Sequence, residues 1–232
     1  MAALNKEPRF RSMEYESRKA YPSNTIIHHQ IGRGPYAPSI TPFAVKLETY
    51  LRMAKVPYLN ENDSVTNRSS KGKLTWIEYN GQEVADSEFC IQTVALQRWV
   101  YDPKHGIDVR KFLNIPWPMF YMVGNLVKKQ SYAQGVGRHS EEEVLQVMDE
   151  DLMALSKFLG MKKFMLGEQA SQTDCAVFGM LSQIHWHSFG GTGETLYKKY
   201  PNLSAYCERM KAKFWPDWNE CITEGWTRTA SK

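Results

Sequence analysis

TIIHHQIGRGPYAPSITPFAVKLETYL, residues 25–51, reads as a strand, a Gly/Pro-rich loop and a helix. Thr25, Ile26 and Ile27 are β-branched, which suits a buried strand. Gly32, Gly34, Pro35 and Pro38 then break any regular pattern. Thr41 is a good N-cap, and Pro42 suits the first helical position, where a missing N–H costs nothing. Behind them Phe43, Val45, Leu47, Tyr50, Leu51 and Ala54 recur at spacings of three and four, predicting one buried helical face. Pro57 stops the helix and Tyr58-Leu59 opens a second strand.

Working outward, Asn60 to Lys73 is a polar loop. Leu74 to Tyr79 alternates as a strand, Asn80-Gly81 is a strong hairpin signal, and Gln82 to Ala85 returns. Asp86-Ser87 then opens another helix, with Phe89, Ile91 and Val94 on its apolar side. The second half is helical. Glu141 to Leu159 carries an apolar stripe and stops at Gly160. Ser171 to Asp174 forms a capping box, with Asp in place of Glu, ahead of the apolar run Cys175 to Ile184. Pro201 to Phe214 is a last helix.

Thr41-Pro42-Phe43-Ala44 stands where a thioredoxin-like chain carries Cys-Pro-Phe/Tyr-Cys. A helix N-terminus makes a reactive thiolate of a cysteine placed there. With Thr and Ala at those positions the scaffold remains without the redox chemistry.

Composition narrows the function classes. The 232 residues are 42% hydrophobic and 12% aromatic, enough for a real core. A net charge of +4, dispersed among acids, argues against nucleic acid as partner. No apolar run reaches about 18 residues, so no membrane span is expected. Cys90, Cys175, Cys207 and Cys221 lack metal or CxxC spacing, and with no secretory signal they read as free thiols in a reducing cytoplasm. His28-His29 alternate across a strand, and His185 and His187 do not share a helical face, so no metal site is expected. Gly135-Val136-Gly137 lacks the preceding strand of a nucleotide loop. Residues 1–23 read as a disordered arm, 24–95 as one domain, 96–222 as a helical domain and 223–232 as a disordered tail.

The order strand–helix–strand–loop–hairpin–helix followed by helices resembles the glutathione transferases. The blocks SITPFAVKLETYLRMAKVPY, SSKGKLTWIEYNGQEVADSEF, YAQGVGRHSEEEV and DCAVFGMLSQIHWH…PNLSAYCERMKAKFWPDW resemble one branch, the failed axon connections family, which is metaxin-related. The likeness runs from Thr25 to Ile222. It implies an α/β amino-terminal thioredoxin-like domain plus an all-α carboxy-terminal domain. It also implies a cytoplasmic, non-catalytic role in axon development or neuronal signalling, with unnamed protein partners and a homodimer left open. The alternative it leaves is a glutathione-dependent transferase of detoxification or metal-stress response. No cofactor is required in the first reading; glutathione would be the ligand in the second.

The family's glutathione site has three parts. Near the first helix it needs a hydroxyl or thiol, and Thr41, Ser39 and Tyr36 are the candidates. Thr41 is equally a plain N-cap, and Tyr36 is better suited to packing. Before the hairpin, relatives place a cis-proline where this chain has Thr75. A non-proline cis bond costs about 2.5–4 kcal/mol. Thr75 is therefore expected to be trans, redirecting the Leu74 amide and carbonyl that pair with the ligand backbone. At the next helix, Asp86 and Ser87 match the residues that hold the γ-glutamyl group, and either also serves as a cap. Relatives also carry a longer segment where this chain has only EFCIQTVALQRWVYD between Ser87 and Pro103. About four helical turns fit there, so a shortened domain junction and exposed apolar surface on neighbouring helices are expected.

Overall fold

Strand β1 (Ile26–Gln30) is the centre of a four-stranded sheet ordered β2-β1-β3-β4, with β2 (Tyr58–Asn62), β3 (Trp76–Tyr79) and β4 (Gln82–Val84). The computed structural model describes residues 21–23, 25–62, 67–70, 72–84, 116–134, 136–187 and 191–223. β2 runs parallel to β1, placing Ile26 opposite Tyr58. β3 runs antiparallel to β1, with His29 opposite Trp76. Asn80 and Gly81 turn the β3–β4 hairpin with φ of 49° and 77°. Two successive positive φ values define the tight turn that matches strand twist, and Asn-Gly is the pair that tolerates them best.

Parallel pairing of β1 and β2 demands a crossover, supplied by helix α1 (Pro42–Ala54). Thr41 caps it, accepting the Ala44 amide at 3.3 Å. It ends at Ala54, three residues before Pro57: Lys55 turns left-handed at φ 55° and Val56 N–H reaches the Leu51 carbonyl. The buried face differs from the one expected. Glu48 and Thr49 are buried, whereas Tyr50 and Ala54 are exposed. Glu48 can be buried because a guanidinium and three further donors meet it.

The helical half comprises α2 (Trp117–Gln134), a 3-10 turn (Val136–Arg138), α3 (Glu141–Leu159), α4 (Gln172–Trp186), α5 (Gly191–Lys198), α6 (Pro201–Phe214) and a 3-10 turn (Trp218–Glu220). Ser140 and Glu143 form a reciprocal capping box at α3, and Gly160 ends it. At α4, Asp174 closes the second box. Its Oδ2 accepts the Ser171 amide and hydroxyl at 2.8 Å each, and its Oδ1 accepts the Met165 amide at 2.7 Å. Tyr206 on α6 donates to the Asp174 carbonyl as well. Through its carboxylate and its carbonyl, Asp174 thus fixes α4, the loop before it and α6.

α4 is the spine. Its Phe178, Leu181 and Ile184 join Val45 of α1 with Tyr206 and Met210 of α6 in one core. A β-carbon on Gly179 would lie 2.5 Å from the Pro42 carbonyl and 2.9 Å from the Lys46 amide. Glycine lets α1 and α4 touch backbone to backbone there, which joins the two halves of the fold.

The packed residues reach back to Tyr21, whose ring stands edge-on to His29. α2 leaves large apolar side chains exposed, Tyr121 at 69% and Met122 at 64%. The helix expected at Asp86-Ser87 and the shortened Ser87–Pro103 stretch lie outside the described residues.

Candidate functional site

The loop between β1 and α1 brings three hydroxyls into a row at the α1 N-terminus. Ser39 and Thr41 oxygens are 3.4 Å apart, and Thr41 and Thr75 oxygens are also 3.4 Å apart. Ser39 is buried, donates towards the Gly32 carbonyl at 3.5 Å and accepts the Thr41 amide at 3.3 Å. Leu74 and Thr75 precede β3 rather than starting it, and no described peptide bond is cis. The α1 N-terminus concentrates partial positive charge here. A hydroxyl row at such a point can orient an anion or a thiolate. Among the described residues the two imidazoles of β1, His28 and His29, are engaged elsewhere.

His28 Nδ1 donates to the Asn60 side chain at 2.8 Å, and burial pushes its pKa down to about 4, so it stays neutral. On the other sheet face His29 stacks flat on Trp76, centroids 3.7 Å apart, with its Nε2 3.7 Å from the Glu78 carboxylate. Tyr36, the third hydroxyl candidate, is 53% exposed and meets His187 edge-on, away from the row. Asp86 and Ser87 lie outside the described residues.

Beneath the loop is a charged cluster that sequence reading missed. Arg33 is buried and grips Glu48 with two donors, at 2.7 and 3.1 Å. Glu48 also accepts from the Tyr58 hydroxyl and the Asn60 amide at 3.0 Å each, and lies 3.4 Å from Arg52. Burial alone would raise the Glu48 carboxyl, but the neighbouring cations, Arg33 foremost and then Arg52, together hold it below the usual carboxylate range. Arg52 forks onto Asp217, lies over the Trp215 ring at 3.9 Å and donates to the Phe214 carbonyl. The signal was present. Glu48 falls three residues after Val45 on its face and four before Arg52.

The buried thiols of Cys175, Cys207 and Cys221 are held protonated at neutral pH. Burial pushes Cys175 and Cys207 up to about 12 and Cys221 up to about 11, the last despite two neighbouring guanidiniums.

Residues 42–106 match the glutathione S-transferase N-terminal domain family, and residues 148–210 match the glutathione S-transferase C-terminal domain family. The chain is a glutathione S-transferase-like protein. Asp86 and Ser87 fall within the first match. The chain is 28% identical to Failed axon connections of Drosophila melanogaster over 259 residues, covering 88% of this chain and 61% of that protein. It thus spans about three fifths of that relative's length. Metaxin-2 of Mus musculus is 30% identical over 112 residues, 45% of this chain and 42% of that protein. A crystal structure of a glutathione transferase from Phanerochaete chrysosporium superposes with a TM-score of 0.50 at 15% identity, covering 82% of this chain and 98% of that one. That likeness shows the transferase fold. The Drosophila alignment runs over 259 residues yet uses only 88% of a 232-residue chain, so the relative carries residues that this transferase-like chain lacks. Among the described residues no helix is long and apolar enough to cross a membrane.

Proposed function

We propose that this chain is a non-catalytic member of the transferase fold, a cytoplasmic factor that acts through protein contacts in axon development or neuronal signalling. The observation that carries this reading is the hydroxyl row. Thr41 is engaged as the α1 cap, and its hydroxyl faces Ser39 on one side and Thr75 on the other. A hydroxyl already serving three neighbours is poorly placed to stabilise a ligand thiolate. Thr75 stands where relatives of the fold have proline, so the Leu74 backbone is not set for the ligand's cysteinyl part. The likeness to Failed axon connections supports the cellular setting. Homodimerisation belongs to the same proposal and is tested by light scattering.

A second reading has support in the matches to both transferase domain families. In it glutathione binds through Asp86, Ser87, Leu74 and Thr75, and Thr41 or Ser39 faces the sulfur for conjugation to an electrophile. The deciding experiment is a thermal melt of the chain with and without millimolar glutathione, paired with a conjugation assay. A ligand at 100 times its Kd stabilises by about 2.7 kcal/mol. An unmoved melt with no turnover supports the scaffold. A melt that rises with glutathione, with turnover lost in Thr41→Ala, would sink it.

A further inference from the structure

The residues after α6 fold back over α1 as a strap, 215–223, and two independent routes tie it to the loop that carries the hydroxyl row. The direct route is a backbone hydrogen bond: the Thr223 amide donates to the Gly34 carbonyl at 3.0 Å. The second is a ladder of alternating charge. Asp217 on the strap accepts from Arg52, Arg52 lies against Glu48, Glu48 accepts from Arg33, and Arg33 Nη1 reaches the Pro38 carbonyl inside the loop at 3.4 Å. Asp217 and Arg52 are 165 residues apart in sequence. Trp215 adds a cross-tie, its indole N–H donating to Thr49 at 3.0 Å on α1. Arg52 also donates to the Cys221 sulfur at 3.4 Å, so it touches the strap at three points besides the Phe214 carbonyl.

The Gly32–Thr41 loop is not held by a backbone ladder. Among the described residues it belongs to no strand or helix between Gln30 and Pro42. Side-chain contacts of Arg33 and Ser39 tie it internally, and the rest of its hold comes from outside. Gln183 on α4 donates to the Ser39 carbonyl at 3.3 Å, and a β-carbon on Gly34 would lie 3.1 Å from the His187 ring. A segment without a backbone ladder opens at a free energy to which such outside ties contribute directly. Removing Asp217 leaves the half-buried Arg52 against a single shared carboxylate, and the Arg33 fork then competes with Arg52 for Glu48.

We infer that the strap is a clasp that sets the conformation of the Gly32–Thr41 loop, so that opening of the strap and opening of the loop are one event. Asp217 is its positioning residue: it acts through Arg52, Glu48 and Arg33. This inference goes beyond the functional reading and holds whether or not the row binds a ligand. Such coupling has a stated physical carrier, a continuous chain of paired charges with the strap on one end and the loop on the other.

Hydrogen exchange on the full chain tests it, comparing wild type with Asp217→Ala and Asp217→Asn. Asp217→Ala should speed exchange at least tenfold in peptides covering both 215–223 and 32–41, with α3 peptides unchanged. Asp217→Asn keeps the shape, loses the charge and should show the same paired change at smaller size. If Asp217→Ala unfolds the whole chain, which the α3 peptides report, Asp217→Asn decides. Faster exchange in the strap with an unchanged loop, in the variant that keeps α3 protected, overturns the proposal.

Discussion

Thr41 and Thr75, 34 residues apart in sequence, face each other with hydroxyl oxygens 3.4 Å apart at the α1 N-terminus. The contact joins the helix cap to the residue ahead of β3, so the same hydroxyl closes the helix and fills the space in front of it. The cap role predicts a stability effect independent of any ligand. Thr41→Ala removes the acceptor for the Ala44 amide and should cost about 1 kcal/mol, while Thr41→Ser keeps it. In a chain of this size that corresponds to a drop in Tm of about 2–4 °C for the alanine variant. Equal melts for Thr41→Ala and wild type would show that the cap bond contributes nothing.

Glu48 is the acceptor that makes the buried Arg33 tolerable. Glu48→Gln leaves that guanidinium without its counter-charge and should destabilise by about 3–5 kcal/mol, seen as a lower urea midpoint. The same pair sets an acid dependence. The folded Glu48 carboxyl lies below its unfolded value, so its contribution is present above the unfolded pKa and is lost as pH falls through the folded one. The wild-type protein should therefore lose stability on acidification below the ordinary carboxylate range, and Glu48→Gln should flatten that limb. An unchanged acid limb in Glu48→Gln would place the titration elsewhere.

The sequence reading reached the limits of α3 and α6 because an apolar period met a local signal in each. Gly160 stops α3 and Pro201 opens α6, whereas the Ser140–Glu143 box at the start of α3 went unread. The hairpin was legible for the same reason, since Asn80-Gly81 is a local backbone preference. Glu48 was not, because a carboxylate on an amphipathic helix is expected to face water, and its burial depends on Arg33, Tyr58 and Asn60 arriving from other elements. The expected face through Tyr50 and Ala54 fails for the same reason. α2 lay in a stretch without a capping signal and went unremarked. The hydroxyl candidates Ser39 and Thr41 were legible as a loop and a cap, but the contact of Thr41 with Thr75 depends on where the sheet places the residue ahead of β3.

His187 closes α4 and is buried, and burial pushes its imidazole pKa down to about 3. The unfolded chain binds a proton near pH 6.5 that the folded one refuses, so between those values stability falls as pH falls. His187→Gln removes this group, and the variant should show a shallower loss of Tm than wild type between about pH 6.5 and pH 4. His28, neutral down to about 4 in the same window, remains in the variant and leaves a residual slope. Parallel curves for the two proteins would mean that the buried ring is not the titrating group.

Gly179 is the point where the two halves of the fold meet most closely. With the Pro42 carbonyl 2.5 Å and the Lys46 amide 2.9 Å from where a β-carbon would stand, the obstructing atoms are backbone and cannot rotate away. Gly179→Ala must push α4 off α1. Alanine would ordinarily favour a helix interior by about 1 kcal/mol over glycine, so the sign of the result separates propensity from packing. Overpacking of this kind costs about 1–3 kcal/mol, and the obstruction by two backbone atoms places the expectation at the upper end. The loss should concentrate at the interface: Trp215, tied to Thr49 on α1, and Trp218, packed against Trp186 of α4, should change their fluorescence along with the melt. A variant as stable as wild type would mean that the helices separate at little cost, and that the join between the halves rests on the Arg52–Asp217 clasp instead.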